Sequence, residues 1–276
     1  MTDWVQIHRG TRPLIVSFPH TGTDIPGDIE EQLVSPWIGR KDADWWIHLL
    51  YDMAPSLGAS TVRTPFSRTV IDVNRDPSGV SLYPGQNTTE LCPTTTFDGE
   101  PLYKSGKEPD PNEIDRRRKQ FFAPYHEALS TEVERVRAQH SAAVLYDAHS
   151  IVSRVPRLFD GELPNFNIGT NNGATCDQAL TSKVEAMCDS RPFSRVTNGR
   201  FRGGWTTRHY GQPARNIHAI QMELAIRSYM DEPEAKLSSD NWPPQFNLAR
   251  AAAARNILTN VLRACIDFAE SLPRRT

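Results

Sequence analysis

Two histidines stand where apolar runs give out. In "PLIVSFPHTG" the β-forming run Leu14–Phe18 stops at Pro19 and delivers His20. In "LYDAHSIVSR" the apolar run stops at Tyr146, with Asp147 and His149 directly behind it. Pro19 lacks a backbone donor and Gly22 permits a sharp turn, so the first run ends there and its imidazole projects beyond it. Asp147 and His149 are two apart. On an extended segment they share a face, and Asp147 can hydrogen-bond or orient part of the same site. Two strands that each deliver a histidine suggest one site at the edge where open α/β sheets bind ligands. Two neutral imidazoles and one carboxylate, with a fourth position left to water, are a common catalytic zinc arrangement. The carboxylates downstream of His20 are Asp24, Asp42 and Asp44. Asp44 and His48 are four apart and would share a helix face, but His48 lies among Trp45, Trp46, Leu49 and Leu50 and reads as packed.

Other residues add chemistry around that pair. Glu223 interrupts the apolar "AIQMELAI". A carboxylate there is expensive unless it is paired or employed, and a general base is one employment. "VIDVNRDP" ends on Asn74 and Arg75, an amide beside a planar fork of donors suited to a carboxylate. "NGRFRGGWTTRHYG" supplies Arg200, Arg202, Arg208 and Tyr210 in a Gly-rich stretch, which reads as an anion-binding lid or a basic surface loop.

The elements needed to position these groups are visible as patterns. Strands are expected at Leu14–Phe18, Ser60–Arg63, Thr69–Val73, Ala142–Tyr146 and Ala219–Leu224, each short, apolar and bounded by breakers. Helices are expected at Asp42–Leu57, Asn112–Gln139, Cys176–Cys188 and Pro244–Leu272. Their alternation argues for an α/β fold, a mixed, mainly parallel sheet with helices on both faces. Residues 76–110 and 197–213 are irregular, and long irregular segments in compact domains are usually functional loops. With no linker or repeat, residues 1–276 read as one domain. Hydrophobic content of 38% and a net charge of −2 are those of a soluble globular chain and offer no basic excess for nucleic acid or anionic membrane. The N-terminus has no apolar signal region, no run reaches the length of a membrane span, and the four cysteines form no CxxC pair. A cytoplasmic protein with reduced thiols is expected.

Taken together these residues resemble the N-formylglutamate amidohydrolase family. The likeness runs through "VSFPHTGTDIP", "DADWWIHLLYDMA", "SRTVIDVNRDPSGVSLYPGQNTTELCPTTTFDGEPLY", "LYDAHSI", "NGRFRGGWTTRHYGQP" and "HAIQMELAIRSYM". "YPGQNTTELCPTTTFDG" and "GRFRGGWTTRHYG" are similar to the deformylase branch used in histidine breakdown. The resemblance implies hydrolysis of the small molecule N-formyl-L-glutamate to formate and L-glutamate. The alternatives are action on another N-acylated acidic amino acid or small peptide, and a non-catalytic binding protein of the same fold. The family is also similar in fold to zinc carboxypeptidases and aspartoacylases. That implies one divalent ion, zinc first with Mn, Co or Fe also accepted, held by His20, an acid and His149. It further implies Asn74–Arg75 on substrate and Glu223 as base. Two substrate carboxylates need at least two cationic contacts, and Arg200 and Arg208 are expected as further ones, with Asp147, Arg202 and Tyr210 in support. The acid departs from the carboxypeptidase HxxE pattern, because Thr23 stands three after His20. Asp44 is favoured, since it opens an expected helix and can point back from its first turn; Asp24 and Asp42 stay open.

Overall fold

The structure, a computed structural model, describes residues 4–273. Among them one sheet of seven strands forms the centre: β1 (Gln6–His8), β2 (Leu14–Phe18), β3 (Ser60–Arg63), β4 (Ala143–Ile151), β5 (Phe166–Gly169), β6 (Arg195–Thr197) and β7 (Ile217–Ala225). The spatial order is β1-β3-β2-β4-β7-β5-β6. The four inner strands β3, β2, β4 and β7 run parallel. Antiparallel pairing of β1 on β3 and of β5 on β7 makes the sheet mixed. From β2 the chain passes to β3 on one side, then returns across to β4 on the other. The switch point of the sheet therefore lies between β2 and β4, where a crevice opens beyond the strand ends.

The helices are α1 (Gly27–Glu30), α2 (Ile47–Leu50), α3 (Pro111–Arg117), α4 (Ala123–Gln139), α5 (Gln178–Cys188), α6 (Trp205–Tyr210) and α7 (Leu248–Ser271). Alternation along the strands sends side chains to two cores. Val16, Val144, Tyr146, Ile220 and Met222 pack with Leu180 and Val184 of α5 and Leu258 and Val261 of α7. Ile15, Leu145 and Ala219 face the other way and pack with Tyr125, Leu129 and Val133 of α4. Helices thus cover both faces of an α/β sheet.

Several elements differ from the expectation. Residues 69–73 form no strand. Val70, Ile71 and Val73 are buried, but the backbone turns through Val70 N–H to Ser67 O and Arg75 N–H to Asp72 O. Apolar β-formers there report burial without a ladder. Residues 42–57 form only the single α turn of α2 and a 3-10 turn at Pro55–Leu57, because Trp46 takes a left-handed φ of 60° and Pro55 cannot continue the helix. Residues 111–139 are helical throughout, with a π turn at Arg118–Phe122 just before Pro124, which has no N–H to give to the preceding turn. α5 starts at Gln178 behind the Asp177 cap, and α7 at Leu248 behind the Asn247 cap. β4 continues five residues past Tyr146, so His149 lies on the strand and not after it. β1, β5 and β6 had no sequence expectation; they are short, and β1 and β6 are less buried than the central strands.

Candidate active site

The face of the sheet under α4 changes character along the strands. At the start it is apolar: Ile15, Leu145, Ala219. Two residues further on it is polar. The register sets Ser17 opposite Asp147, Asp147 opposite Gln221, and His149 opposite Glu223. The same pleat that buries one core therefore brings a row of polar side chains to the switch point.

His20, just beyond β2, and His149, near the end of β4, face each other with ring centroids 4.8 Å apart. Asp44 completes the cluster, and one ligand atom from each of the three residues lies within 4.8 Å of the others. All three are buried. Asp44 does not reach the site from a helical first turn. It sits in a turn ahead of α2, pinned by its N–H donating to the His20 carbonyl at 2.9 Å. Asp24 and Asp42 are not in the cluster. Asp24 bridges to Phe66, and Asp42 accepts the Phe97 N–H at 2.6 Å. Burial pushes the Asp42 carboxyl up to about 6.

Each imidazole has its far nitrogen on a buried carboxylate. His20 Nε2 lies 2.6 Å from Asp72 Oδ1, and His149 Nε2 lies 2.9 Å from Asp147 Oδ2. The Nε2 of each ring is thus held by a carboxylate, with Asn74 Nδ2 a further 2.9 Å from His149 Nε2, and each Nδ1 is turned toward Asp44. His149 Nδ1 is 3.0 Å and His20 Nδ1 3.8 Å from the same Asp44 oxygen. The electrostatics of the two rings differ. Burial, with the charge of Arg68, lowers the His20 pKa despite Asp72 and Asp44. Burial also opposes charge on His149, but Asp147 and Asp44, one at each ring nitrogen, outweigh it and raise its pKa well above the usual value.

Glu223 is buried on β7, and burial pushes its carboxyl up to about 8. Gln221 Nε2 donates to Glu223 Oε2 at 3.1 Å. Asn74 joins the parts. Its Nδ2 donates to Asp147 Oδ2 at 3.2 Å, and its Oδ1 accepts the Thr206 N–H at the start of α6 at 2.8 Å.

A cleft of about 580 Å3, mouth included, opens over His20, His149 and Glu223, within the roughly 300–1,000 Å3 of small-molecule sites. Asn74, Arg75 and Arg200 also line it, with Tyr83, Phe97 and Phe201 as aromatic wall. Arg75 donates to the Thr89 carbonyl and hydroxyl, at 3.1 and 3.0 Å. Arg200 donates to the carbonyls of Leu158 and Asn87, both at 2.8 Å. Asp44 and Asp147 lie beneath the cleft on the two histidines, and three other residues expected at the site do not line it. Arg208 turns away, donates to the carbonyls of Gly203 and Leu82 and stacks on Tyr83. Arg202 is exposed and donates to the Gly199 carbonyl. Tyr210, the last residue of α6, is buried with its hydroxyl donating to the His126 carbonyl. Arg202 precedes α6, while Arg208 and Tyr210 lie on it and on sides that do not face the cleft.

Asp72, Arg68 and Gln221 were not singled out in the sequence. Arg68 donates to Asp72 Oδ2 at 2.5 Å, and the Asp72 N–H-to-Leu91 bond fixes the turn. Burial alone would raise the Asp72 pKa, but Arg68, Arg75 and His20 hold it well below the usual carboxylate range. The signal was present, an acid inside the apolar "TVIDV", but it was masked by reading that segment as a strand.

Comparison with known proteins follows the same lines. The N-formylglutamate amidohydrolase family model matches residues 12–230. An N-formylglutamate deformylase of Pseudomonas aeruginosa is 47% identical over 269 residues, 97% of this chain and 98% of the relative. One of Pseudomonas putida is 47% identical over 235 residues, 85% of this chain and 88% of the relative. Among solved structures, an N-formylglutamate amidohydrolase from Ralstonia eutropha JMP134 has a TM-score of 0.78 at 23% identity, covering 96% of this chain and 98% of that one. A gene product of Agrobacterium tumefaciens has a TM-score of 0.70 at 16% identity, covering 97% and 96%. These two structures carry the fold, and the sequence relatives carry more: this chain belongs to the N-formylglutamate amidohydrolase family.

Proposed function

We propose that the protein hydrolyses N-formyl-L-glutamate to formate and L-glutamate, using one divalent cation held by His20, Asp44 and His149. The observation that carries this reading is the convergence of those three ligand atoms, within 4.8 Å, beside a cleft that Glu223 and the guanidiniums of Arg68, Arg75 and Arg200 line. The donor set fits a cation. Each imidazole is oriented by a buried carboxylate at Nε2 so that Nδ1 faces inward, where a cation would displace any proton it carries, and a third carboxylate supplies negative charge there. Two nitrogens and one oxygen suit zinc first, with Mn, Co or Fe accepted by the same ligands. When bound, such an ion polarises a carbonyl and lowers the pKa of water.

The chain's own residues supply the remainder. With positive charge bound beside it Glu223 would be drawn down from its raised pKa to a carboxylate, and it takes a proton from the attacking water as the new C–O bond forms at the formyl carbon. It returns that proton to the nitrogen as the C–N bond breaks. Arg75 and Arg200 take the two substrate carboxylates. Each guanidinium is already fixed on one side by acceptors of the protein, so little freedom is lost on binding. Burial, and the neighbouring Arg75 charge, press the Arg200 pKa down, which favours an anion between them. Tyr83, Phe97 and Phe201 keep water from the rest of the cleft.

Formate or acetate release from N-formyl-L-glutamate, N-formyl-L-glutamine and N-acetyl-L-aspartate tests the reading. N-formyl-L-glutamate is expected to be preferred by kcat/KM over N-formyl-L-glutamine by about 30-fold or more, the value of one charge-assisted pair. Faster turnover of N-acetyl-L-aspartate would make the protein a deacylase of another acid. No hydrolysis of any of the three would make it a binding protein.

A further inference from the structure

Gln221 is a buried amide on β7, 4% exposed, two residues before Glu223 and on the same face. A buried amide is unfavourable unless both its ends are bonded, and a methionine would fill the same space without that demand. Both ends are bonded here. The Gly204 N–H lies 2.7 Å from Gln221 Oε1. A main-chain N–H can only donate, so this bond decides which way the amide points. Its NH2 must then face Glu223, where Nε2 lies 3.1 Å from Oε2. An NH2 can only donate in turn, so Glu223 Oε2 is an acceptor whether or not the carboxyl is protonated. That bond engages Oε2 and leaves Oε1 the freer oxygen for the proton that Glu223 takes up.

We propose that Gln221 is a positioning residue, which fixes the proton-accepting oxygen of Glu223 and ties that carboxylate to the loop bearing Arg200. The proposal rests on the role given above to Glu223. The tie to the loop is close-packed. Gly204 ends residues 199–204, of which Arg200 and Phe201 line the cleft. A Cβ on Gly204 would stand 2.4 Å from the Asn74 amide, so the loop can approach the sheet only as glycine. Substrate held by Arg200 and the orientation of Glu223 are therefore joined through one amide.

The test is a double-mutant cycle on the metal-loaded protein, with kcat, KM, metal content and melting temperature read for each variant. Gln221→Met is expected to lower kcat about 10- to 100-fold, the scale of a misoriented reacting group. Metal content should match the parent, and KM should rise more in Gln221→Met, which frees the Gly204 N–H, than in a variant that keeps an acceptor for it. Gln221→Glu keeps an acceptor for Gly204 but removes the donor to Glu223; it is expected to lose kcat likewise and serves if the methionine variant does not fold. Adding Glu223→Gln to either should cost no more than Glu223→Gln alone, because the amide then has no proton acceptor to orient. Parent-like kcat in folded Gln221→Met or Gln221→Glu would overturn the proposal, as would fully additive losses or loss of metal. If Glu223→Gln itself turns over like the parent, or the parent releases no formate, the proposed function fails and takes this inference with it. If Glu223→Gln is slow and the Gln221 variants are not, only the inference fails.

Discussion

Asp147 sits beneath three donors. Ser17 Oγ is 2.5 Å from Oδ1; Asn74 Nδ2 and His149 Nε2 are 3.2 and 2.9 Å from Oδ2. Asp147→Asn keeps the size but turns an amide NH2 toward one of these donors. The orientation of His149 is then no longer enforced. We expect metal affinity or activity to fall about 10- to 100-fold, as for other groups that orient a ligand, with the fold retained; competition with a metallochromic chelator measures it. Unchanged affinity would mean that the strand alone orients His149. The arginines make a separate case. Arg75→Ala and Arg200→Ala should each lose about 2–5 kcal/mol in kcat/KM on N-formyl-L-glutamate. One of them should lose much less on N-formyl-L-glutamine, which lacks the side-chain carboxylate. Equal losses on both substrates for both variants would make the two arginines structural.

The elements explain why some residues were legible and others were not. β2, β4 and β7 are buried along their whole length, so their composition shows in sequence as apolar runs. His20, His149 and Glu223 stood out because each breaks such a run near its end. Asp44 could be narrowed to three acids but not to one, because its position depends on a turn held by the His20 carbonyl and on a left-handed Trp46. Neither has a periodic signature. Arg208 and Tyr210 were drawn in by sharing a stretch with Arg200, although α6 turns both away from the cleft. That short helix is also where backbone approach matters most. Its first N–H groups meet Asn74 and Gln221, and Gly204→Ala would drive a methyl into the Asn74 amide. The overpacking should destabilise the protein by about 1–3 kcal/mol. It should also lower kcat/KM by about tenfold through the displaced Asn74. Chemical denaturation and steady-state rates on that variant check both, and a rate loss without any stability change would argue against the clash.

At the scale of the whole molecule, one sheet with two helical layers carries the site at its switch point, and we propose that it unfolds as a single unit. Acid should undo it partly through a histidine outside the cleft lining. His126 is buried among Phe122, Trp205 and Tyr210, with Nε2 2.7 Å from the Val73 carbonyl. Burial lowers its pKa from 6.5 to about 3. The folded state binds that proton less readily than the unfolded one. Its contribution to stability is therefore full above pH 6.5 and is lost as pH falls toward 3. His126→Gln, which keeps a donor for Val73, should flatten the fall of stability across that range by about 1.4 kcal/mol per pH unit. An unchanged slope in denaturant titrations would show that other groups govern acid unfolding.

Whether His20, Asp44 and His149 hold a catalytic cation is decided by one titration. Protein stripped with a chelator is reconstituted with measured amounts of Zn2+, and formate release from N-formyl-L-glutamate is followed against metal bound per chain. The account predicts negligible turnover when stripped, a linear rise to a plateau at about one ion per chain, and no such rise in Asp44→Asn. Full turnover by protein shown to be metal-free would contradict it.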